Sequence, residues 1–68
     1  MPERRPARHP FAWATMDAGQ VPVLIAYWER GQPHSQSPQE WQAQVIYAGA
    51  DGEPRETLVP ARRLRAAG

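Results

Sequence analysis

The chain contains no cysteine and no lysine, and no stretch of it is apolar for long. The absence of cysteine excludes a disulfide framework and a thiolate zinc site, which are common supports of very small folds. No apolar run approaches the roughly 18 residues that a membrane-spanning helix needs. The arginines near the start have no apolar stretch behind them, so no secretory signal is predicted. We therefore expect a cytoplasmic protein that makes no membrane contact.

The length of 68 residues is enough for one domain. A chain of this size buries only about 60% of the surface that its unfolded form exposes, so its core must be dense or supplemented by self-association. Aromatic side chains are the largest apolar groups available, and each can bury roughly 150–250 Å². They are Phe11, Trp13, Tyr27, Trp28, Trp41 and Tyr47.

The net charge is only +1, but the two ends are basic and the middle is acidic. Either the basic ends are simply solvated, or they form one surface that contacts phosphate groups. The acidic middle opposes a polyanion unless the arginines gather on one side. The arginines in question are Arg4, Arg5, Arg8, Arg62, Arg63 and Arg65.

Strand signals begin after a proline-rich and arginine-rich start. Residues 1–10 have little to bury, so we predict a flexible, disordered arm that folding does not need. Residues 11–16 suit a short strand. Residues 21–29 give the strongest strand signal, with alternation that places Ile25 and Tyr27 on one face and Trp28 on the other.

A polar loop at residues 30–39 separates this strand from a second alternating segment at residues 40–48. Asp51-Gly52 is a strong hairpin turn signal, and residues 53–59 form the returning strand. The tail allows one helical or 3-10 turn that turns Leu64 inward. These signals predict an all-β antiparallel barrel of four to five strands with no helix longer than about two turns. The predicted core is Val23, Ile25, Trp41, Val45 and Leu58.

The segments VPVLIAYWE, EWQAQVIYAGADG and ETLVPARRLR, from Gly19 to Arg65, follow a recognisable order. Strand, variable loop, strand, acidic-Gly turn, strand and closing turn resemble the small SH3-like barrel group, which includes Tudor-like modules. The resemblance implies an SH3-like barrel over residues 11–68, preceded by the arm at residues 1–10, and a role in binding. The ending VPARRLR also resembles short uncharacterised proteins of GC-rich bacteria, which implies no activity.

Trp28 and Trp41 bracket the long loop, and a tryptophan pair at a barrel mouth can hold a proline, a cation or a base. With Tyr27, Tyr47 and the 30–39 loop they form the predicted contact surface for a protein or peptide. The alternative is that these rings are core, although we expect at least one tryptophan to be substantially exposed. Acidic neighbours would favour a basic or proline-rich peptide.

Two alternatives to peptide binding remain. Arginines clustered on one face would favour nucleic acid, with an exposed tryptophan stacking on a base. A homo-oligomer with a site at its symmetry axis would favour an enzyme, as in plasmid-type dihydrofolate reductase, but that enzyme's Val-Gln-Ile-Tyr motif is absent here. His9, His34 and Glu40 are the only acid–base candidates, and none has a nucleophile or partner at a meaningful spacing. We therefore predict no catalysis, no metal and no cofactor.

Overall fold

The structure is a computed structural model, and it describes residues 3–31 and 39–67. Within these residues there are six β-strands, one 3-10 turn and no α-helix, so the prediction of a mostly β chain without a long helix is confirmed. The strands are β1 (Glu3–Pro6), β2 (Phe11–Met16), β3 (Gly19–Arg30), β4 (Gln42–Ala48), β5 (Pro54–Pro60) and β6 (Leu64–Ala66), and the 3-10 turn is Ala61–Arg63. The predicted helical turn at the C-terminus is therefore of the 3-10 type.

All strands pair antiparallel in one sheet with the order β5-β4-β3-β2-β6. Turns join β2 to β3 and β4 to β5, and a glycine at positive φ stands at each, Gly19 at 109° as the first residue of β3 and Gly52 at 83° within the β4–β5 turn. The Asp51-Gly52 turn predicted from the sequence is confirmed. The described pairings do not join β5 to β6, so they form an open sheet of six strands instead of the closed four- or five-stranded barrel that was expected.

The sixth strand is β1, and it corrects the prediction of a disordered arm. It pairs with the second half of β3, in register from Glu3 opposite Arg30 to Pro6 opposite Tyr27. β2 pairs with the first half of the same edge. The Ile25 N–H donates to the Pro10 carbonyl at 2.7 Å and anchors the connection between β1 and β2. Ion pairs between strands and backbone hydrogen bonds hold β1 on β3. The prediction of strands used the alternation of apolar residues, which does not detect a strand that is held in this way.

A β-bulge in β3 decides which side chains face the core. Ile25 lies opposite Val45, but Tyr27 lies opposite Gln44, so Ala26 is an extra residue in β3. An extra residue reverses the alternation of faces beyond it. Trp28 therefore lies opposite the fully buried Ala43, on the same face as Ile25.

The buried core is small and rich in alanine and valine: Ala12, Ala14, Val23, Ile25, Ala43, Val45 and Val59. Three predicted members, Val23, Ile25 and Val45, are confirmed. The prediction was wrong for Leu58, because the register places Val59 opposite Ala43 and Leu58 opposite Gln44 on the other face. Trp41 precedes β4 and is only partly buried. Leu64 packs against the core, as expected from the tail.

Candidate functional site

A groove of about 730 Å³ lies along the inner face of the sheet, between the β1–β2 connection and the C-terminal segment. This volume is in the range of small-molecule sites. Its lining combines apolar and basic residues. We call the apolar residues the floor, although Pro6, Ala61 and Ala66 among them are exposed, and the basic residues the rim. The floor is Pro6, Ala12, Ile25, Trp28, Trp41, Ala61, Leu64 and Ala66, and the rim is Arg5, Arg8, His9 and Arg65.

Trp28 reaches the groove because of the bulge in β3. Without the extra residue Ala26, alternation would place Trp28 on the face opposite to Ile25. The observed register sets Trp28 between Ala43 on β4 and Arg5 on β1. An aromatic floor residue and a basic rim residue are thus direct cross-strand neighbours.

Trp41 is fixed by two guanidinium groups. The Arg30 guanidinium carbon lies 4.6 Å from the ring centroid, and that of Arg5 lies 5.2 Å away, which are cation–π distances. Glu3 binds both arginines: Arg30 Nη2 donates to Oε1 at 2.6 Å, and Arg5 Nη2 donates to Oε2 at 3.0 Å. The hydrogen bond from Arg30, supported by the one from Arg5, holds the pKa of Glu3 below its usual value. One carboxylate therefore positions two cations beside one indole ring.

On the opposite face, Arg4 serves the fold and does not reach the groove. Its Nε donates to Oε1 of Glu29 at 3.0 Å, and Glu29 is 2% exposed. The Arg4 guanidinium also lies 4.9 Å from the Tyr27 ring centroid. The Glu29 carboxylate, followed by Tyr27, raises the pKa of Arg4, so this arginine stays charged.

The predicted aromatic surface is divided by the fold. Trp28 and Trp41 line the groove together, whereas Tyr27 and Tyr47 do not line it. Tyr47 lies opposite Arg55 in the β4–β5 pair and packs partly against the core. Residues 32–38 of the predicted contact loop, including His34, lie outside the described residues. Arg30, at the start of that loop, contacts Trp41.

The six candidate arginines are also divided. Arg5, Arg8 and Arg65 line the groove. Arg62 is bound elsewhere, because its Nη1 donates to both carboxylate oxygens of Glu40 at 2.6 and 2.7 Å. Arg63 is exposed in the 3-10 turn and does not line the groove. The structure thus brings together arginines from the two ends of the chain.

The described lining of the groove includes three arginines and one histidine and no aspartate or glutamate, and Arg5 among them is paired with Glu3. Over the described ranges, Arg8 and His9 make no ion pair, and Arg65 donates to Gln20 Oε1 at 3.2 Å. Hydroxyl and thiol groups are also missing from the lining within residues 3–31 and 39–67. The arrangement can bind an anion beside an apolar group.

Sequence reasoning missed most of the apolar floor. Ala12, Ala66 and Pro6 carry no chemical signal by themselves, and they meet only because β6 pairs with β2 beside the groove. The expectation of an exposed tryptophan is confirmed, but the residue is Trp13, which is 39% exposed on the other face. Trp28 and Trp41 are partly buried.

The described residues include no helix that is long and apolar enough to cross a membrane. Among the same residues, no group of three or more His, Cys, Asp or Glu side chains is placed to hold a metal ion.

Comparisons with known proteins identify no relative. No protein-family model matches the chain, and neither the curated proteins nor the solved structures give a match. The groove itself therefore carries the functional inference.

Proposed function

We propose that this chain is a small SH3-like binding module whose groove takes an acidic segment of a protein or peptide that also carries an apolar side chain. One observation carries the proposal: Trp28 and Trp41 form a floor beneath a rim of arginines and a histidine, with no carboxylate in the described lining. No catalytic role is proposed.

The floor and the rim have different roles. Partly desolvated aromatic side chains supply most of the affinity in interfaces of this kind. Arginines bind carboxylates through paired hydrogen bonds and select the sign of the partner. An acidic neighbourhood would have favoured a basic or proline-rich peptide. The basic rim favours the opposite charge.

The SH3-like part of the proposal is supported by the order of elements. β3, a long connection, β4, the Asp-Gly turn, β5, the 3-10 turn and the short β6 follow one another as in that group. The pairing of β6 with β2 also brings the C-terminal segment beside the first hairpin. This places the groove between the start and the end of the chain.

Nucleic acid is the second candidate, because three of the six candidate arginines share the groove. The peptide is favoured over it because Arg4, Arg5 and Arg62 are paired with Glu29, Glu3 and Glu40. A polyanion needs a track of several free cations, and these three ion pairs interrupt it.

The test is a fluorescence titration with a short labelled peptide that alternates Glu and Leu. The comparison probes are a Lys and Leu peptide, a Glu and Ser peptide, and a single-stranded oligonucleotide. We expect the Glu and Leu peptide to bind best, because only it supplies both the charge for the rim and the side chain for the floor. Equal binding of the Lys and Leu peptide would overturn the proposed sign. Tighter binding of the oligonucleotide, with a log–log salt slope near −0.7 per phosphate contact, would favour nucleic acid instead.

The matched variants change one class of residue. Replacing Arg8 and Arg65 together by Gln should weaken the Glu and Leu peptide by about tenfold, equivalent to roughly 1.4 kcal/mol. Arg63→Gln removes an exposed arginine outside the groove and should leave affinity unchanged. Arg5 is kept, because its loss would also release Glu3 and Trp41. Equal losses in Arg63→Gln and in the double variant would show that only net charge matters, and would contradict the groove.

A further inference from the structure

Glu3 and Arg5 form an ion pair at the rim of the groove. Nε and Nη2 of Arg5 donate to Oε2 of Glu3 at 3.2 and 3.0 Å. In the described part of the chain, Arg5 is the one rim arginine with a carboxylate partner, since Arg8 and Arg65 make no ion pair there. An edge of the guanidinium that can bind a carboxylate through paired hydrogen bonds is therefore already occupied by a carboxylate of the same chain.

Glu3 is held more firmly by Arg30 than by Arg5. Arg30 Nη2 donates to Oε1 of Glu3 at 2.6 Å, which is shorter than either bond from Arg5. The side chain of Arg5 is also the more exposed of the two, at 66% against 40% for Arg30. The hydrogen bond from Arg30 lowers the pKa of Glu3 more than the one from Arg5 does. Glu3 can therefore give up Arg5 and still keep Arg30 as its partner.

We propose that Glu3 is a built-in competitor of the partner's carboxylate. When an acidic segment enters the groove, one of its carboxylates replaces Glu3 on Arg5, and Glu3 stays on Arg30. This inference rests on the proposed function of the groove. Trp41 keeps the Arg30 guanidinium at 4.6 Å from its ring centroid during the exchange, so the floor stays in place.

The competition reduces what an acidic partner gains at the rim. A carboxylate that binds Arg5 only replaces an equivalent group, whereas one that binds Arg8 meets an arginine without an ion pair in the described part of the chain. The effect is small, because ion pairs between exposed side chains contribute little in water. Removing the competitor should therefore raise the affinity for an acidic peptide by about two- to fivefold. A residue that only positioned Arg5 and Trp41 would have the opposite effect, and its removal would weaken binding.

Glu3→Gln tests the proposal on the full chain, with the labelled Glu and Leu peptide as the probe. The substitution keeps the size of the side chain and removes the competing charge, so the dissociation constant should fall by about two- to fivefold. Glu53→Gln makes the same charge change in the exposed β4–β5 turn and should leave the dissociation constant nearly unchanged. Urea denaturation of both variants checks that each is folded under the conditions of the titration. Weaker binding by Glu3→Gln, or equal effects of the two variants, would overturn the proposal.

A double-mutant cycle shows whether the gain depends on Arg5. In an Arg5→Gln background, Glu3 has no rim arginine to compete for, so adding Glu3→Gln should no longer strengthen binding. Only the change within this background is informative, because Arg5→Gln also removes a guanidinium from Trp41. A gain that persists without Arg5 would reveal a long-range charge effect and would contradict the competition.

Failure of this inference is distinct from failure of the proposed function. If the wild-type chain does not bind the Glu and Leu peptide in preference to the Lys and Leu peptide, the proposed function fails and the competition fails with it. If the wild type shows that preference and Glu3→Gln brings no gain, only the competition is refuted.

Discussion

The adjacent residues Leu58 and Val59 offer a direct test of the register of β5. Val59 is 5% exposed and lies opposite Ala43, whereas Leu58 is partly buried and lies opposite Gln44 on the other face. From side-chain size alone, replacing Leu58 should cost more stability than replacing Val59. The structure predicts the reverse, because Val59 is the buried residue of the two.

The expected magnitudes follow from burial. Val59→Ala removes the equivalent of two buried methylene groups, about 1.6 kcal/mol of transfer free energy, and leaves a cavity. The total cost is expected to be about 2–3 kcal/mol of the free energy of unfolding. Leu58→Ala removes more atoms from a partly solvated site and should cost about 1 kcal/mol. A domain of this length has roughly 3–10 kcal/mol of stability, so Val59→Ala removes most of it at the low end of this range, whereas Leu58→Ala leaves most of it.

Urea denaturation followed by tryptophan fluorescence measures the difference. With a slope near 1 kcal/mol per molar urea, Val59→Ala should lower the midpoint by about 2–3 M and Leu58→Ala by about 1 M. The slope must stay constant for the comparison to hold. A larger loss in Leu58→Ala than in Val59→Ala would refute the register and the assignment of the core face.

Two further predictions concern β1. Deleting residues 1–8 should lower the melting temperature by several degrees, because the deletion removes the β1–β3 pairing and the ion pair between Arg4 and the buried carboxylate of Glu29. An unchanged melting temperature would show that residues 1–8 do not contribute to the stability of the fold. The pKa of Glu3 is lowered in the folded state, so its ion pairs contribute fully to stability above the pKa of a glutamate in the unfolded chain, about 4.3. This contribution is lost as the pH falls through the folded-state pKa of Glu3. The urea midpoint of Glu3→Gln should therefore differ from that of the wild type near neutral pH and converge with it in acid, and a constant difference across this range would argue against the ion pairs.

Much of the site could not be predicted from local patterns. The sequence singled out Trp28 and Trp41 because they bracket a long polar loop, and both line the groove. It also singled out Arg5, Arg8 and Arg65, but as part of a larger set that the fold divides. Whether an arginine lines a groove or pairs with a carboxylate depends on residues far away in the chain, as with Arg62 and Glu40.

The sequence by itself determined the β class, the positions of four strands, the Asp51-Gly52 turn and a single short turn, helical or 3-10, near the C-terminus. These features depend on period-two alternation and turn residues, which are local properties of a segment. Only the tertiary structure decided the pairing of β1 with β3 and the bulge at Ala26, which places Trp28 on the inner face. Both features depend on how one strand fits against partners distant in sequence, because strand register is fixed by cross-strand contacts and not by either strand alone.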